Sequence, residues 1–203
     1  MGKKARVKGN ATVGGKAKVV GHAEVSGDAK ISGKSKVAGH ATVTDSAAVS
    51  GSAWVHGKAT ISGSAKVCDH AEVTGKAQVT DKAKVSGHAE VSGKARVSEG
   101  ARVSGSAAVS GNAKLSGNSW VSGQADISDD AVVSGDSAIG GDAHVLKEDH
   151  VVTLTEPEDG VVWTAYRTRH GGRQIMRGHT LVEESEAPAG LIKASDKAWS
   201  PKS

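Results

Sequence analysis

Small and branched aliphatic residues alternate with polar residues in a fixed six-residue pattern along most of the chain. From Ala5 to Ala143 every sixth residue is Ala or, at three places, Ser, and two residues later, from Val7 to Val145, stands Val, Ile or Leu. These repeats contain no insertion or deletion. A disordered low-complexity linker needs only a composition, whereas a fixed register is needed where the residues fill a core. The pattern therefore predicts an ordered repeat structure.

The period fits a short strand followed by a turn. In an α-helix a six-residue step would point successive valines to three different sides, so no apolar stripe would form. Collagen needs Gly at every third residue, which the chain lacks. Each Ala-x-Val segment instead predicts a strand whose Ala and Val face inward, and the following Ser-Gly-x segment predicts a turn. Gly tolerates the left-handed backbone that such a turn requires, and Asp does so at Asp45, Asp69, Asp81 and Asp129.

This sequence repeat resembles that of the hexapeptide-repeat left-handed parallel β-helix family, and the resemblance covers residues 5 to about 147. It implies that three repeats form one triangular coil, so we expect an all-β solenoid of about eight triangular coils stacked roughly 4.8 Å apart. Within the family, the repeat sequence, which has no insertions, is most similar to that of bacteriophage and prophage solenoid proteins. Buried valines alone do not offset the entropy cost of ordering so long a chain, so we expect capping and a homo-oligomer, with a trimer favoured.

After Leu146 the register ends, and we divide the chain into a β-solenoid at residues 1–147 and a capping or interaction module at residues 148–203. The segments VVTLT, VVWTAYRT and RQIMRG predict strands, and EPEDG and HGG predict the turns of a small antiparallel meander. Thr180 and Glu183 have the spacing of a capping box opening a short helix that Pro188 would end.

The module is expected to cover the open edge of the last coil, because an unpaired strand edge invites aggregation. Its aromatic residues are the best anchors for that interface or for a partner. The candidate interface residues are Trp163, Tyr166 and Trp199.

Composition narrows the cellular setting. The chain has no Phe and a single Cys, which excludes an internal disulfide. Cys68 stands where most repeats have Ser, so we interpret it as a tolerated turn residue rather than a nucleophile. The N-terminal segment has no apolar signal-peptide region, and no run of about 18 apolar residues occurs. We therefore expect a soluble protein made in the cytoplasm, without a secretion signal or membrane insertion, and located in the virion if a phage encodes it.

The net charge of +4 is unevenly distributed, since residues 1–100 contain 16 Lys and Arg against 8 Asp and Glu. Residues eighteen apart should stack, so the cations form a corner and a face that are candidates for binding a polyanion such as nucleic acid or acidic polysaccharide. The corner contains Lys58, Lys76 and Lys94, and the face contains Lys30, Lys66, Lys84 and Arg102. Solubility and protection of the exposed first coil are the alternative explanation for this charge.

Metal and catalytic chemistry find little support in the sequence. His22 and His40 should stack, as should His70 and His88, but zinc requires three or four ligands. Acyltransferases of the resembled family interrupt their coils with a long excursion that carries a catalytic His, and this chain has no excursion. We assign no catalytic, cofactor-binding or metal-binding residue.

The sequence therefore predicts a non-enzymatic structural or adhesion protein, a tail or fibre-like component of a phage or prophage virion. Its partners would be virion proteins or an anionic cell-surface polymer. One alternative is a binding module for an anionic polymer, and another is a divergent hexapeptide-repeat acyltransferase. A structural variant is an intertwined β-prism in which each side comes from a different chain.

Overall fold

A computed structural model describes residues 4–200. Twenty-four two-residue strands, β1 to β24, recur every six residues, and each of β1 to β21 pairs in parallel with the strand three places further along the chain. Three strands thus complete one coil, and residues eighteen apart are ladder partners, as Arg6 and Glu24 are. The predicted all-β parallel solenoid of about eight triangular coils is confirmed, and the left-handed sense of the coils stays a prediction.

Each side of the solenoid is an eight-stranded parallel sheet. The first face contains β1 (Arg6–Val7), β4 (Glu24–Val25), β7 (Thr42–Val43), β10 (Thr60–Ile61), β13 (Gln78–Val79), β16 (Arg96–Val97), β19 (Lys114–Leu115) and β22 (Val132–Val133). The second face contains β2 (Thr12–Val13), β5 (Lys30–Ile31), β8 (Ala48–Val49), β11 (Lys66–Val67), β14 (Lys84–Val85), β17 (Arg102–Val103), β20 (Trp120–Val121) and β23 (Ala138–Ile139). The third face contains β3 (Lys18–Val19), β6 (Lys36–Val37), β9 (Trp54–Val55), β12 (Glu72–Val73), β15 (Glu90–Val91), β18 (Ala108–Val109), β21 (Asp126–Ile127) and β24 (His144–Val145).

The alternation within each strand determines the core. From Ala23 to Val145 the small and aliphatic positions of the repeat are buried and form one continuous cluster. The residue between them faces outward, as period-two geometry requires. Where Ser35 replaces Ala, its hydroxyl donates a hydrogen bond to the Ser32 carbonyl at 2.7 Å, so the buried polar atom is satisfied.

The turns use left-handed backbone at one position of every repeat. Gly33 is typical, because its φ is +70° and a Cβ there would lie 2.6 Å from the Gly51 carbonyl oxygen of the next coil. The four Asp residues predicted for this position do have positive φ, and Glu99 joins them at φ 58°. The carboxylate of Asp81 accepts the N–H of Glu99 at 3.1 Å, and that of Glu99 accepts the N–H of Gly117 at 2.7 Å. These bonds between coils offset part of the backbone strain.

The predicted antiparallel meander is also confirmed, with one strand that the sequence analysis missed. The four-stranded sheet follows chain order and contains β25 (Val151–Thr155), β26 (Val162–Arg167), β27 (Arg173–Arg177) and β28 (Thr180–Val182). Helix α1 (Ala189–Trp199) follows, and 3-10 turns lie at Glu148–His150 and Glu184–Glu186.

The predicted start and end of the helix were wrong. Thr180 lies in strand β28, and the capping box is formed by Glu183 and Glu186 around a 3-10 turn. Pro188 stands immediately before helix α1 rather than at its end. Proline has no N–H to donate, and the first turn of a helix needs none from it, so the residue suits a helix start.

Strand β26 joins the solenoid to the helix because its side chains alternate between two cores. Thr164 and Tyr166 face the last coil, where the Thr164 hydroxyl accepts the Ala138 N–H at 3.2 Å and the Tyr166 hydroxyl accepts the Gly140 N–H at 3.3 Å. Trp163 faces the other way and packs with Leu191 of helix α1. The two parts of the chain thus share packing, and the domain boundary at residues 147 and 148 stays a prediction.

Candidate anion-binding surfaces

The cations predicted for one face form a ladder on the second face. Lys66 is the ladder partner of Lys84, and Lys84 is the partner of Arg102. Lys30 lies further along the same sheet, separated from Lys66 by Ala48. All four cationic side chains are exposed. We call Lys30, Lys66, Lys84 and Arg102 the second-face ladder.

The cations predicted for a corner lie elsewhere. Lys58, Lys76 and Lys94, here called the corner ridge, each follow a third-face strand and precede a first-face strand. Their backbones stack coil on coil, since the Lys58 N–H donates to Gly75 and the Lys76 N–H donates to Gly93. In a triangular prism this edge is opposite the second face. The structure therefore separates the two groups of cations into two surfaces on opposite sides of the solenoid.

Charge composition distinguishes the two surfaces. Among residues 4–200, the second face is the one face whose outward strand residues include no Asp or Glu. Its cations form no ion pair within that part of the chain. Further along the corner ridge, by contrast, come Asn112 and Asp130, joined by a 3.0 Å hydrogen bond. The second face therefore has the more uniform positive potential.

The carboxylate of Asp69 stands at the corner beside the second-face ladder. It accepts the Gly87 N–H at 3.0 Å, and this bond is the main reason that the pKa of Asp69 lies below its usual value, with a lesser effect of Lys84. Burial and the same Asp69 raise the pKa of the Cys68 thiol. A raised pKa leaves the thiol protonated and poorly nucleophilic near neutrality.

The predicted histidine pairs do stack. Ring centroids are 4.7 Å apart for His22 and His40, and 4.8 Å apart for His70 and His88. Across residues 4–200, no group of three or more His, Cys, Asp or Glu side chains is arranged to hold a metal ion. In the same region no helix has the length and apolar character needed to cross a membrane.

The three candidate interface residues occupy different places. Tyr166 is completely buried against the last coil, and burial raises its pKa to about 12. Trp163 is also buried, but within the core between the terminal sheet and helix α1. Trp199 is half-buried beside that core, and its indole N–H donates to the Asp149 carbonyl. Of the three, Tyr166 alone contacts the solenoid core.

A basic cluster on the first two coils was missed in the sequence analysis. Lys16, Lys18, Lys34 and Lys36 surround a shallow surface depression, and the Lys36 ammonium lies 5.2 Å from the ring centroid of Trp54. The signal was present, because residues 16 and 34, and 18 and 36, are eighteen apart. We call these four lysines the first-coil cluster.

A hollow between the solenoid and the terminal sheet was also missed. Its walls are Gly100, Arg102, Asn118, Trp120 and His179, and its volume is about 320 Å³. Arg102 and Trp120 are ladder partners on the second face, while His179 comes from the loop between β27 and β28. The sequence signal is the order Glu99–Gly100, which replaces the usual order of a Gly followed by a polar residue.

In comparisons with known proteins, no family model matches the chain, and no curated protein matches it.

Proposed function

We propose that the protein is a non-enzymatic structural or adhesion protein, a rigid rod that acts as a tail or fibre-like component of a phage or prophage virion. The observation that carries the proposal is the uninterrupted stack of coils, since strands recur every six residues from β1 to β24 with one continuous core. Such a stack transmits force along its length and presents repeating side chains at fixed intervals. The proposal that the protein is part of a virion rests on the resemblance of its repeat sequence to that of phage and prophage solenoids.

The proposal includes a homo-oligomer, with a trimer favoured. Sedimentation velocity of the purified chain measures mass and shape together, and we expect an elongated particle with three times the mass of the chain. Mass spectrometry of purified phage particles tests the virion setting. A chain that is produced in infected cells but missing from the particles contradicts that setting.

Support for a non-enzymatic role comes from the same regularity. An acyltransferase of the resembled kind would place a His on a loop that closes over the donor. The partly buried His150 at the junction accepts the Leu146 N–H at 3.3 Å through Nδ1, and burial, aided by Arg167, lowers its pKa. It is thus held in a structural contact. A rise in Tm that increases with the dose of acyl-CoA or of a nucleotide-sugar donor would favour the acyltransferase alternative.

A second candidate function is binding of an anionic polymer along the second face. It is favoured by the absence of Asp and Glu among the outward strand residues of that face and by the unpaired state of its cations within residues 4–200. Lys66, Lys84 and Arg102 lie on successive coils about 4.8 Å apart, whereas Lys30 lies two coils from Lys66. A polyanion lying along the rod would contact one cation in each of the three successive coils.

Salt-dependent binding tests this second function. We expect Lys66→Glu/Lys84→Glu to abolish binding of an acidic polysaccharide, because it reverses two neighbouring charges of the second-face ladder. The matched controls make the same charge change elsewhere, Lys58→Glu/Lys76→Glu on the corner ridge and Lys34→Glu/Lys36→Glu in the first-coil cluster. Affinity should fall as salt rises, as counterion release requires. Equal losses in all three variants would mean that net charge, and not the second face, determines binding.

A further inference from the structure

Three departures from the repeat meet at the hollow beside Trp120. Gly100 stands where the other repeats of that corner have a side chain, Trp120 is the one aromatic residue on the second face, and His179 reaches in from the terminal sheet. The residues equivalent to Gly100 are Asn10, Asp28, Ser46, Ser64, Lys82, Asn118 and Asp136. A regular repeat has no structural need for these changes at one place.

Gly100 creates the space. A Cβ added there would lie 2.7 Å from the Asn118 side-chain oxygen and 3.2 Å from the Gly117 carbonyl oxygen, so a larger residue would occupy the hollow. The left-handed turn position that precedes it is filled by Glu99, whose φ is 58°. Glycine at position 100 is therefore not explained by a positive φ. Its effect is to leave the floor of the hollow open.

Trp120 and His179 are held in place by contacts with Ser104 and with each other. The Trp120 indole N–H donates to the Ser104 hydroxyl at 3.1 Å, and the His179 ring packs edge-on against the indole at a centroid distance of 4.6 Å. Arg102 is exposed and forms no ion pair within residues 4–200. The hollow thus combines an aromatic wall with a free guanidinium.

The nearby carboxylates do not compete for that guanidinium. Glu99 accepts the Gly117 N–H at 2.7 Å, and Asp136 accepts the Asn118 side-chain amide at 3.0 Å. The amide hydrogen bond to Asp136 also fixes the side chain of Asn118. Its oxygen, together with the His179 ring, remains to bind hydroxyl groups.

We infer that the hollow binds one carboxylate-bearing sugar ring of an acidic polysaccharide, with the rest of the chain lying along the second-face ladder. The apolar face of a pyranose ring would pack on Trp120, and its carboxylate would pair with Arg102 in the bidentate geometry that guanidinium favours. The inference rests on the proposed binding of an anionic polymer, and it adds the class of ligand and the place where one sugar is recognised.

A single-stranded nucleic acid fits the surface less well. Proteins that bind such strands provide an aromatic platform for successive bases. The second face has Trp120 alone, and Trp54 lies on the third face. An acidic polysaccharide has one charge in each repeating unit, and these charges would pair with the cationic ladder. One of its sugar rings would lie in the hollow, against the single indole at the end of the ladder.

Isothermal titration with short acidic oligosaccharides tests the inference. The probes are tetramers of galacturonate, of the hyaluronan repeat and of sialic acid, with methyl-esterified tetragalacturonate as the uncharged match and an oligothymidylate of equal charge as the nucleic-acid comparison. The blocking variant is Gly100→Gln, which fills the hollow without changing charge. Its control is Ser64→Gln, the same new side chain at the same corner two coils away. Arg102→Met removes the guanidinium.

We expect the wild-type chain to bind at least one acidic tetramer. Gly100→Gln should weaken binding about tenfold or more because it fills the hollow, and Arg102→Met should do so because it removes a charged hydrogen-bonding partner. Ser64→Gln should bind like wild type, and esterification should abolish binding. Binding that Gly100→Gln leaves unchanged overturns the hollow as the site but leaves the second-face ladder in place. Binding of no acidic tetramer overturns both proposals. Equal binding of oligothymidylate, lost in Gly100→Gln, overturns the sugar assignment alone.

Discussion

The two ends of the solenoid share one repeat but differ in their surroundings. At the first coil the inward-facing Val7 and Val13 are 48% and 41% exposed, whereas Ile139 and Val145 at the last coil are completely buried. The residue types are nearly the same, so the sequence of a coil does not determine its burial. What lies on the coil does, and Tyr166 lies on the last one. Stability in such a fold is a property of neighbouring units.

The backbone at the two ends differs in the same way. Arg6 and Lys8 each donate an N–H to the second coil at 2.9 Å, so Val7 between them directs its polar groups away from that coil. At the other end the N–H of Gly140 is accepted by the hydroxyl of Tyr166. Within residues 4–200 no strand pairs with the outer edge of the first coil, whereas the edge of the last coil is occupied.

The largest difference in stability is expected when the same substitution, Val to Asp, is made at the inward position of a middle coil and of the first coil. Val85→Asp places an unpaired carboxylate in the middle of the core, where we expect destabilisation of about 3 to 5 kcal/mol and loss of soluble protein. Val7→Asp has the same chemistry at the open end, and we expect little loss because Val7 already contacts water. Thermal denaturation measures both, with the outward-facing Lys84→Asp as a control. Similar losses at Val7 and Val85 would contradict the comparison of the ends.

Removal of the terminal module should make the protein form larger assemblies, whereas removal of the first coil should not. A chain ending at Lys147 exposes the edge that β26 covers, so we expect β-rich circular dichroism to persist while light scattering reports larger assemblies that grow with concentration. Deletion of residues 1–22 moves an edge that is already open by one coil, and we expect no growth. If the chain ending at Lys147 keeps the size of the intact protein, the terminal sheet is not a cap.

The buried phenol makes the covered end sensitive to alkali. Tyr166 has a pKa of about 12 when folded, against an ordinary value of 10.0, chiefly because burial disfavours the charged form. A raised acid pKa means that its stabilising contribution is complete below pH 10 and is lost as pH rises toward 12, an effect of about 2 to 3 kcal/mol.

Tyr166 is the single tyrosine of the chain, so tyrosinate absorbance reports it directly. We expect a midpoint near pH 12 in the native protein and near pH 10 in denaturant. Tyr166→Phe should show no absorbance transition and a weaker dependence of stability on alkaline pH. A native midpoint near pH 10 would mean that the last coil is not covered as described.

The solenoid could be predicted because the same environment recurs in every repeat. One assignment of inward positions must place an Ala or Val correctly in every repeat. A wrong register would therefore have placed polar residues in the core many times. The helix after Pro188 occurs once, and a proline can either end a helix or precede one. Its spacing from Thr180 alone could not distinguish these cases, because Thr180 paired into a sheet with residues from β27.

The candidate site was predicted in part, and for a similar reason. The second-face ladder follows from the eighteen-residue stacking of Lys66 and Lys84. The position of the corner ridge opposite the second face could be predicted only with the order of the three faces around the solenoid. The hollow depends on a missing side chain at Gly100 and on His179, which lies far along the chain. No periodic pattern links those two residues, and their presence at one hollow follows only from the packing of the terminal sheet.

The smallest expected effect compares turn carboxylates inside the stack and near its covered end. Asp81 and Asp129 both have left-handed φ, 59° and 53°, which costs a non-glycine residue strain. The Asp81 carboxylate regains part of that cost by accepting the Glu99 N–H, whereas Asp129 forms no such bond within residues 4–200. Replacing Asp129 by Gly should therefore relieve strain and lose nothing, while the same change at Asp81 also removes that hydrogen bond and the one that its carboxylate accepts from the Thr80 hydroxyl at 2.9 Å.

We expect Asp129→Gly to stabilise the fold by about 0.5 kcal/mol after the entropy cost of a new glycine, and Asp81→Gly to be neutral or slightly destabilising. Chemical denaturation of the two variants beside wild type measures the difference, and Asp81→Ala, which keeps the strain and loses the bond, should be the least stable of the three. If Asp129→Gly is no more stable than Asp81→Gly, the carboxylate of Asp81 does not join its coil to the next, and the stacking of the turns rests on backbone hydrogen bonds alone.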